Sequence, residues 1–381
     1  MPTWFLPSVS LPARLGWFYF AFFAYSAAYV AYFPLWLAWR GLGAGEIAFV
    51  LALPQMARVF APAAWGWLAD RTGAQRGIVV FSCGVMAACY AAVPYAGGTR
   101  DIALLIGASG VLSAGALPLV EAMTLGSPGG PARYGPIRLW GSVGFIAVVL
   151  AGGLWLDFRS AATLSPVLAL LALATLAASV SLPRGATHSA AQPSRLSSAP
   201  GAGAVLGAGF CMALAHGALY AFFTLHLQRE GYSGIVIGGL WTLGVVAEIL
   251  VFAYLPALFR RYSLSALLIA SLSCAVARFL AIGWGASLLW ILVLAQLLHA
   301  ATFGLFHAAT VMAMHRIFPP HAQGRGQTLL SSISYGAGGA AGALVAGWGW
   351  QAAGPGLAFS LAALAALAGV YFAYGLRRAG L

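Results

Sequence analysis

Arg58 and Glu248 are charged side chains set inside long apolar stretches. One is a permanent cation with a planar five-donor fork; the other is a carboxyl that can take up and release a proton. They occupy matching places in two copies of one pattern. Leu51-Ala-Leu-Pro-Gln-Met-Ala-Arg58 is followed by Asp70-Arg71, and Leu240-Trp-Thr-Leu-Gly-Val-Val-Ala-Glu248 by Arg260-Arg261. Each charge precedes its charged pair by 12 residues, and the copies lie 190 residues apart. An ion at membrane depth costs roughly 2.5–3.5 kcal/mol even on the lenient insertion scale, so such a residue is a functional candidate by default. The chemistry on offer is an anion grip by Arg58 and proton exchange at Glu248. A carboxyl that alternates between an apolar surrounding and an arginine's vicinity binds and then releases a proton. The competing reading is a structural ion pair, since an unpaired buried cation is expensive; Glu248 or Glu121 would supply the partner.

Other polar residues fall inside apolar stretches. Glu121 is a second proton-coupling candidate, nearer one end of its stretch, where a gate role is equally natural. His216 has Tyr220 four residues on, on the same helical face, and a satisfied interior histidine is the alternative reading. His299 and His307 are eight residues apart and share a polar–aromatic stripe with Gln296 and Phe303. The pair lacks a third metal ligand, so hydrogen bonding along a pore is expected rather than a metal site. Arg278, near the outer end of its apolar stretch, is expected to snorkel to the outer interface. Phe18, Phe22, Tyr25, Tyr29, Tyr32 and Trp36 follow one another at spacings of 4-3-4-3-4, a continuous aromatic face. Such a face is usually packing; it also suits stacking on a planar ligand, as does Trp241, seven residues before Glu248.

The elements that must position these groups are spanning helices. Runs of about 20 apolar residues predict twelve: 15–36, 46–68, 77–97, 102–125, 138–156, 161–182, 204–226, 235–256, 264–284, 286–312, 326–349 and 355–376. A Ser-, Ala- and Pro-rich linker over 183–200 divides them into six-helix halves, 1–182 and 201–381. The fold class is therefore an all-α polytopic membrane protein of two related six-helix bundles. Composition agrees: 62% of residues are hydrophobic, 7% are charged and the mean hydropathy is +0.90, against about 25% charged in soluble domains. The net charge of +12 comes from short loops, which points to a bilayer and not to nucleic acid. Arg14, Arg71, Arg76, Arg133, Arg138, Arg184, Arg195, Arg260, Arg261, Arg316, Arg325, Arg377 and Arg378 fall on one side with only Asp70. Arg40, Arg100, Arg159 and Arg229 fall on the other, each near an acid. Both termini are thus expected in the cytoplasm. The first apolar stretch is too long for a cleaved signal and is expected to remain as a spanning helix. Cys83, Cys89, Cys211 and Cys274 each lie inside an apolar segment, without CxxC spacing, as small buried hydrophobes. No nucleophile–base set is present that would suggest an enzyme.

The loop after the second helix reads Gly66-Trp-Leu-Ala-Asp70-Arg71-Thr-Gly73. It resembles the G-x3-D-R-x-G signature of the major facilitator superfamily, in that family's position. The resemblance implies that Gly66, Asp70, Arg71 and Gly73 form a conformational latch on the cytoplasmic side. The counterpart at Leu258-Phe259-Arg260-Arg261 lacks the Gly and the Asp. Phe33-Pro34-Leu35-Trp36, Tyr134-Gly-Pro-Ile-Arg138-Leu-Trp140-Gly-Ser142, Leu240-Trp241 through Glu248, and Leu298-His299-Ala-Ala-Thr-Phe303 resemble the 3-phenylpropionate permease branch, close to nucleoside–proton symporters. That resemblance implies two halves alternating around a central site lined by helices one, four, seven and ten, with two, five, eight and eleven flanking it. It also implies proton-coupled uptake with no cofactor besides the proton. The expected substrate is a small aromatic or carboxylated solute, held by Arg58 and contacted by Tyr25, Tyr29, His216, Tyr220, Trp241, His299, Phe303 and His307. A nucleoside or sugar symporter, or a proton-linked exporter, is the alternative. A monomer in the cell inner membrane completes the expectation.

Overall fold

The computed structural model describes residues 10–183, 200–319 and 322–378. Arg184 and Arg195, in the expected linker, lie outside the described residues. Eleven helices among the described residues are long and apolar enough to cross a membrane. They are α1 (Leu11–Trp39), α2 (Ala44–Thr72), α3 (Gln75–Tyr95), α4 (Thr99–Leu125), α5 (Gly130–Phe158), α6 (Ala161–Val180), α7 (Ala202–Arg229), α8 (Gly234–Arg261), α9 (Leu264–Gly285), α10 (Leu289–Ile317) and α11 (Gln323–Arg377). The last runs 55 residues and departs from helical dihedrals at Ala353 (φ −149°, ψ 20°) and Gly354 (φ 78°, ψ −164°), just before Pro355.

Prolines set the irregularities that matter for the site. Pro62 has no N–H to bond the carbonyl of Arg58, and its ring crowds that carbonyl. Accordingly α2 divides into Ala44–Ala57 and Ala61–Thr72, with Arg58 as the C-cap of the first part. Pro118 stands in the same relation to Ala114, and α4 is interrupted at Ala114–Gly115, before Glu121. Two segments are π-helical, Ala300–Leu305 in α10 and Ser331–Gly338 in α11; such turns are rare and collect at functional sites.

α1 and α7 are the most buried helices. α1 packs on α5 and α6, α7 packs on α11, and α5 meets α8 while α2 meets α11. The α5–α8 seam is close because glycines line it. A Cβ on Gly238 would sit 3.1 Å from both the carbonyl carbon of Val149 and the hydroxyl of Tyr32. The Tyr32 hydroxyl donates to the Val149 carbonyl. At the end of the bundle that carries the Arg40 turn, the Asp157 carboxylate caps the start of α8, accepting from Gly234 N (2.5 Å) and Ile235 N (2.9 Å).

The aromatic face of α1 forms with one exchange: Phe33 stands in the series between Tyr29 and Trp36, while Tyr32 turns to the Val149 carbonyl. Tyr25 stacks on Tyr29 and Tyr29 on Phe33, and Tyr90 of α3 meets all three edge-on at 5.2–6.1 Å. Most of this face is therefore packing. All four cysteines are free thiols; Cys83, Cys89 and Cys211 are buried and Cys274 is partly so.

Candidate functional site

Arg58 and Glu248 come to the same depth by construction. Each stands about 14 residues from the Arg40-turn end of its helix, Ala44 in α2 and Gly234 in α8, or about 21 Å at 1.5 Å per residue. They do not pair. Among the described residues Arg58 makes no side-chain ion pair or hydrogen bond with Glu248 or Glu121. Arg58 is exposed as a residue, and its guanidinium lies in electrostatic range of Tyr25, Tyr29, Tyr220 and Tyr335. Part of the missing counter-charge comes from the helix it caps, whose C-terminal carbonyls form the negative pole of the backbone dipole.

Glu248 instead faces His299, with Oε2 3.8 Å from Nε2. That is beyond a hydrogen bond and within ion-pairing reach if the imidazole is protonated. Two glycines let α8 and α10 approach closely enough for this. A Cβ on Gly304 would stand 3.0 Å from Glu248 Cγ, and one on Gly244 would stand 3.3 Å from the His299 ring. Nδ1 of His299 is buried without a hydrogen-bond partner among the described residues. Phe303 stacks on His299 (5.3 Å) and His307 on Phe303 (6.5 Å), so these three of the expected stripe line up along the π-helical turn, while Gln296 turns away to Arg278.

Behind this stripe lies a residue that the sequence placed wrongly. Arg278 does not snorkel to an interface: it is wholly buried. It donates to Ala295 O (2.9 Å), Thr302 Oγ1 (3.0 Å) and Gln296 Oε1 (2.7 Å), and its Nη1 reaches His216 Nε2 at 3.4 Å. His216 Nδ1 faces the Met212 carbonyl at 2.9 Å. A carbonyl only accepts, so Nδ1 carries the proton and Nε2 is the acceptor for Arg278. His216 is thus a satisfied neutral histidine, 6.2 Å ring to ring from His299 and 5.8 Å from Tyr220. Arg278, His216, His299 and Glu248 form one chain of groups across α9, α7, α10 and α8. Arg278 stands nearer the Gly285 end of its helix, Leu264–Gly285, and nothing in the sequence marks the inward turn of its side chain.

A second correction concerns Arg138. The sequence starts the fifth helix there and counts it as a loop charge, but α5 begins two turns earlier, at Gly130. Arg138 is therefore on the helix, its guanidinium 3.8 Å from the Phe23 ring centre, in electrostatic range of Glu121, Glu248 and His307. Glu121 accepts from the Tyr134 hydroxyl at 3.4 Å.

Trp241 is not brought to the cluster. Its indole N–H donates to Thr224 (3.0 Å) and its ring meets Phe223 edge-on, so it packs α8 on α7. At the opposite end of α2, Gly73 ends the helix at φ 66°, a conformation glycine adopts freely. A Cβ on Gly66 would meet nothing within 4 Å. Arg71 lies over Trp67 at 5.3 Å, and Asp70 and Arg71 are exposed.

Comparison with known proteins decides the family. The MFS_1 like family matches residues 13–361. The chain belongs to that family of major facilitator transporters. It is accordingly a multi-pass membrane transporter of a small molecule and not an enzyme. A protein of Escherichia coli (strain K12) described as a probable 3-phenylpropionic acid transporter is 36% identical over 197 residues, 48% of this chain and 49% of that one. The chain thus spans about half the length of that relative. The maltose permease of Geobacillus stearothermophilus is 27% identical over 341 residues, covering 84% and 83%. In fold, a crystal structure of the nucleoside transporter NupG superposes with a TM-score of 0.80 at 18% identity, covering 97% of this chain and 99% of the other.

Proposed function

We propose that this transporter is a proton-coupled symporter that takes up a small aromatic carboxylate by alternating access. The observation that carries the reading is the division of charge at one depth: Arg58 unpaired on α2, and Glu248 beside His299 on the facing helices. In this mechanism Arg58 holds the anionic group, and the rings of Tyr25, Tyr29, Tyr220 and Phe303 border the substrate. Glu248 carries the proton, with His299 as the group that shares it; Glu121, beside Tyr134, is the second carboxyl of the pathway. The chemistry of the partial relative, described as a probable 3-phenylpropionic acid transporter, supports this substrate class. The similarity to a maltose permease over most of the chain supports the second reading, a neutral sugar or nucleoside symporter.

In the same reading α11 is two spans meeting at Ala353–Gly354, which brings the count to twelve. The helices group as two six-helix bundles, 1–182 and 201–381, around a linker over 183–200. The bias of arginines toward the end that carries Asp70 supports cytoplasmic termini in a cell inner membrane. The protein acts as a monomer, and Gly66, Asp70, Arg71 and Gly73 latch its cytoplasmic side. The closed α5–α8 seam at the Arg40 end and the exposed Asp70–Arg71 pair are what an inward-facing state would have.

The test is binding of 3-phenylpropionate, a nucleoside and maltose to purified protein at two pH values, with uptake into energised cells. Tighter phenylpropionate binding at the lower pH, with accumulation that a protonophore abolishes, is the expected result. Binding of sugar or nucleoside alone would establish the second reading instead. Accumulation only in inverted vesicles would make the protein an exporter.

A further inference from the structure

The surroundings of Arg58 carry more hydrogen-bonding capacity than they use. The Tyr29 hydroxyl and Gln55 Oε1 are shielded from solvent without a partner among the described residues. The Arg58 guanidinium likewise has no hydrogen-bond acceptor among the described residues. A cation beside an unpartnered hydroxyl is relieved by an anion that accepts from both. These three groups come from α1 and α2.

The facing wall is the π-helical segment Ser331–Gly338 of α11. There Gly336 seats so closely that a Cβ would stand 2.8 Å from Val59 Cγ2 and 3.0 Å from Val59 N. Val59 follows Arg58 in the chain and Tyr335 precedes Gly336, so this contact brings the α11 segment that carries Tyr335 against the α2 segment that carries Arg58. Its phenol is in electrostatic range of both Arg58 and Glu248. The hydroxyl is not idle: it meets His307 Nδ1 at 2.6 Å. With the proton on Nδ1, His307 donates to Tyr335, and the tyrosine's own proton is free to point elsewhere.

Resting on the proposed carboxylate substrate, we infer that Tyr335 is a specificity-determining residue that donates its hydroxyl proton to the carboxylate gripped by Arg58. The anion then bridges α2 and α11, with Tyr29 as the donor from α1. A carboxylate suits this cradle because both its oxygens accept. A primary amide offers one acceptor, and its NH2 would face donors.

The experiment compares 3-phenylpropionate with 3-phenylpropionamide on the full-length protein and on Tyr335→Phe and Arg58→Gln, with thermal unfolding as a check on folding. The expected result for Tyr335→Phe is a loss of about ten-fold or more in carboxylate affinity, the scale of a hydrogen bond to a charged group. Amide affinity should stay within about two-fold, with the unfolding temperature unchanged. Equal losses for both ligands, or an unchanged ratio while Arg58→Gln still removes the preference, would overturn the role of Tyr335 alone. A wild-type protein with no preference for the carboxylate would overturn this inference together with the proposed substrate class.

Discussion

Asp157 at the end of α5 caps α8: one carboxylate accepts the backbone N–H groups of both Gly234 and Ile235. Four N–H groups are left unbonded at any helix start, and that end carries the positive pole of the backbone dipole. A carboxylate from a different helix therefore ties two otherwise separate elements together.

Asp157→Ala should loosen this end of the α5–α8 seam. Loss of a helix cap costs about 0.5–2 kcal/mol, which shifts the balance between closed and open states by about 2- to 30-fold. In a background without native cysteines, Ile237→Cys is a suitable reporter, because Ile237 is buried beneath the cap. Labelling by a membrane-impermeant maleimide should accelerate in the Asp157→Ala protein. Equal labelling rates would show that the cap does not hold the seam.

Glu248→Gln keeps the shape of the side chain beside His299 and removes its charge and its proton exchange. Proton-driven accumulation should be lost, while exchange of internal for external substrate persists, because exchange needs no net proton movement. Counterflow in proteoliposomes measures the second and uptake under an imposed pH gradient the first. Full accumulation by the mutant would remove Glu248 from the proton path.

How far the sequence could be read depended on what decides each feature. Helix positions follow from runs of apolar residues, and the common depth of Arg58 and Glu248 follows from their matching places in a repeat. Both were legible. Side-chain direction around a helix is not encoded in hydropathy when every face is apolar, and there the reading failed. On sequence, the place of Arg278 near the outer end of its helix points to the outer interface; the side chain turns inward to Ala295 and Gln296 instead. Arg138 falls with a loop on sequence because the apolar run begins only there, although the helix starts at Gly130 with Pro131 in its first turn, where proline is tolerated. Tyr335 carried no signal, since a π-helical turn shifts the face on which it emerges.

The inward course of Arg278 makes a stability prediction. Arg278→Met fills similar volume but leaves Gln296 Oε1, Thr302 Oγ1 and the His216 lone pair without their donor. Each buried group left unsatisfied costs about 1–3 kcal/mol, so the variant should unfold at a clearly lower temperature in detergent. Arg278→Lys should recover only part of the loss, since an ammonium has three donors and no planar fork. A variant as stable as wild type would mean that Arg278 is held for transport alone.

Neighbouring glycines in α8 offer an internally controlled test of the same seam. A Cβ on Gly238 would press on the Val149 carbonyl and on the Tyr32 hydroxyl bonded to it, whereas one on Gly239 meets nothing within 4 Å. Both positions are helical, where alanine is intrinsically favoured over glycine by up to about 1 kcal/mol. Gly239→Ala should therefore leave transport intact and raise stability slightly. Gly238→Ala gains the same backbone term but must push α5 and α8 apart, because the atom it meets is backbone and cannot rotate away. Its expected phenotype is that of Asp157→Ala, faster labelling at Ile237→Cys, with slowed uptake. If Gly238→Ala and Gly239→Ala behaved alike in both assays, close approach at this seam would not be part of the closed state.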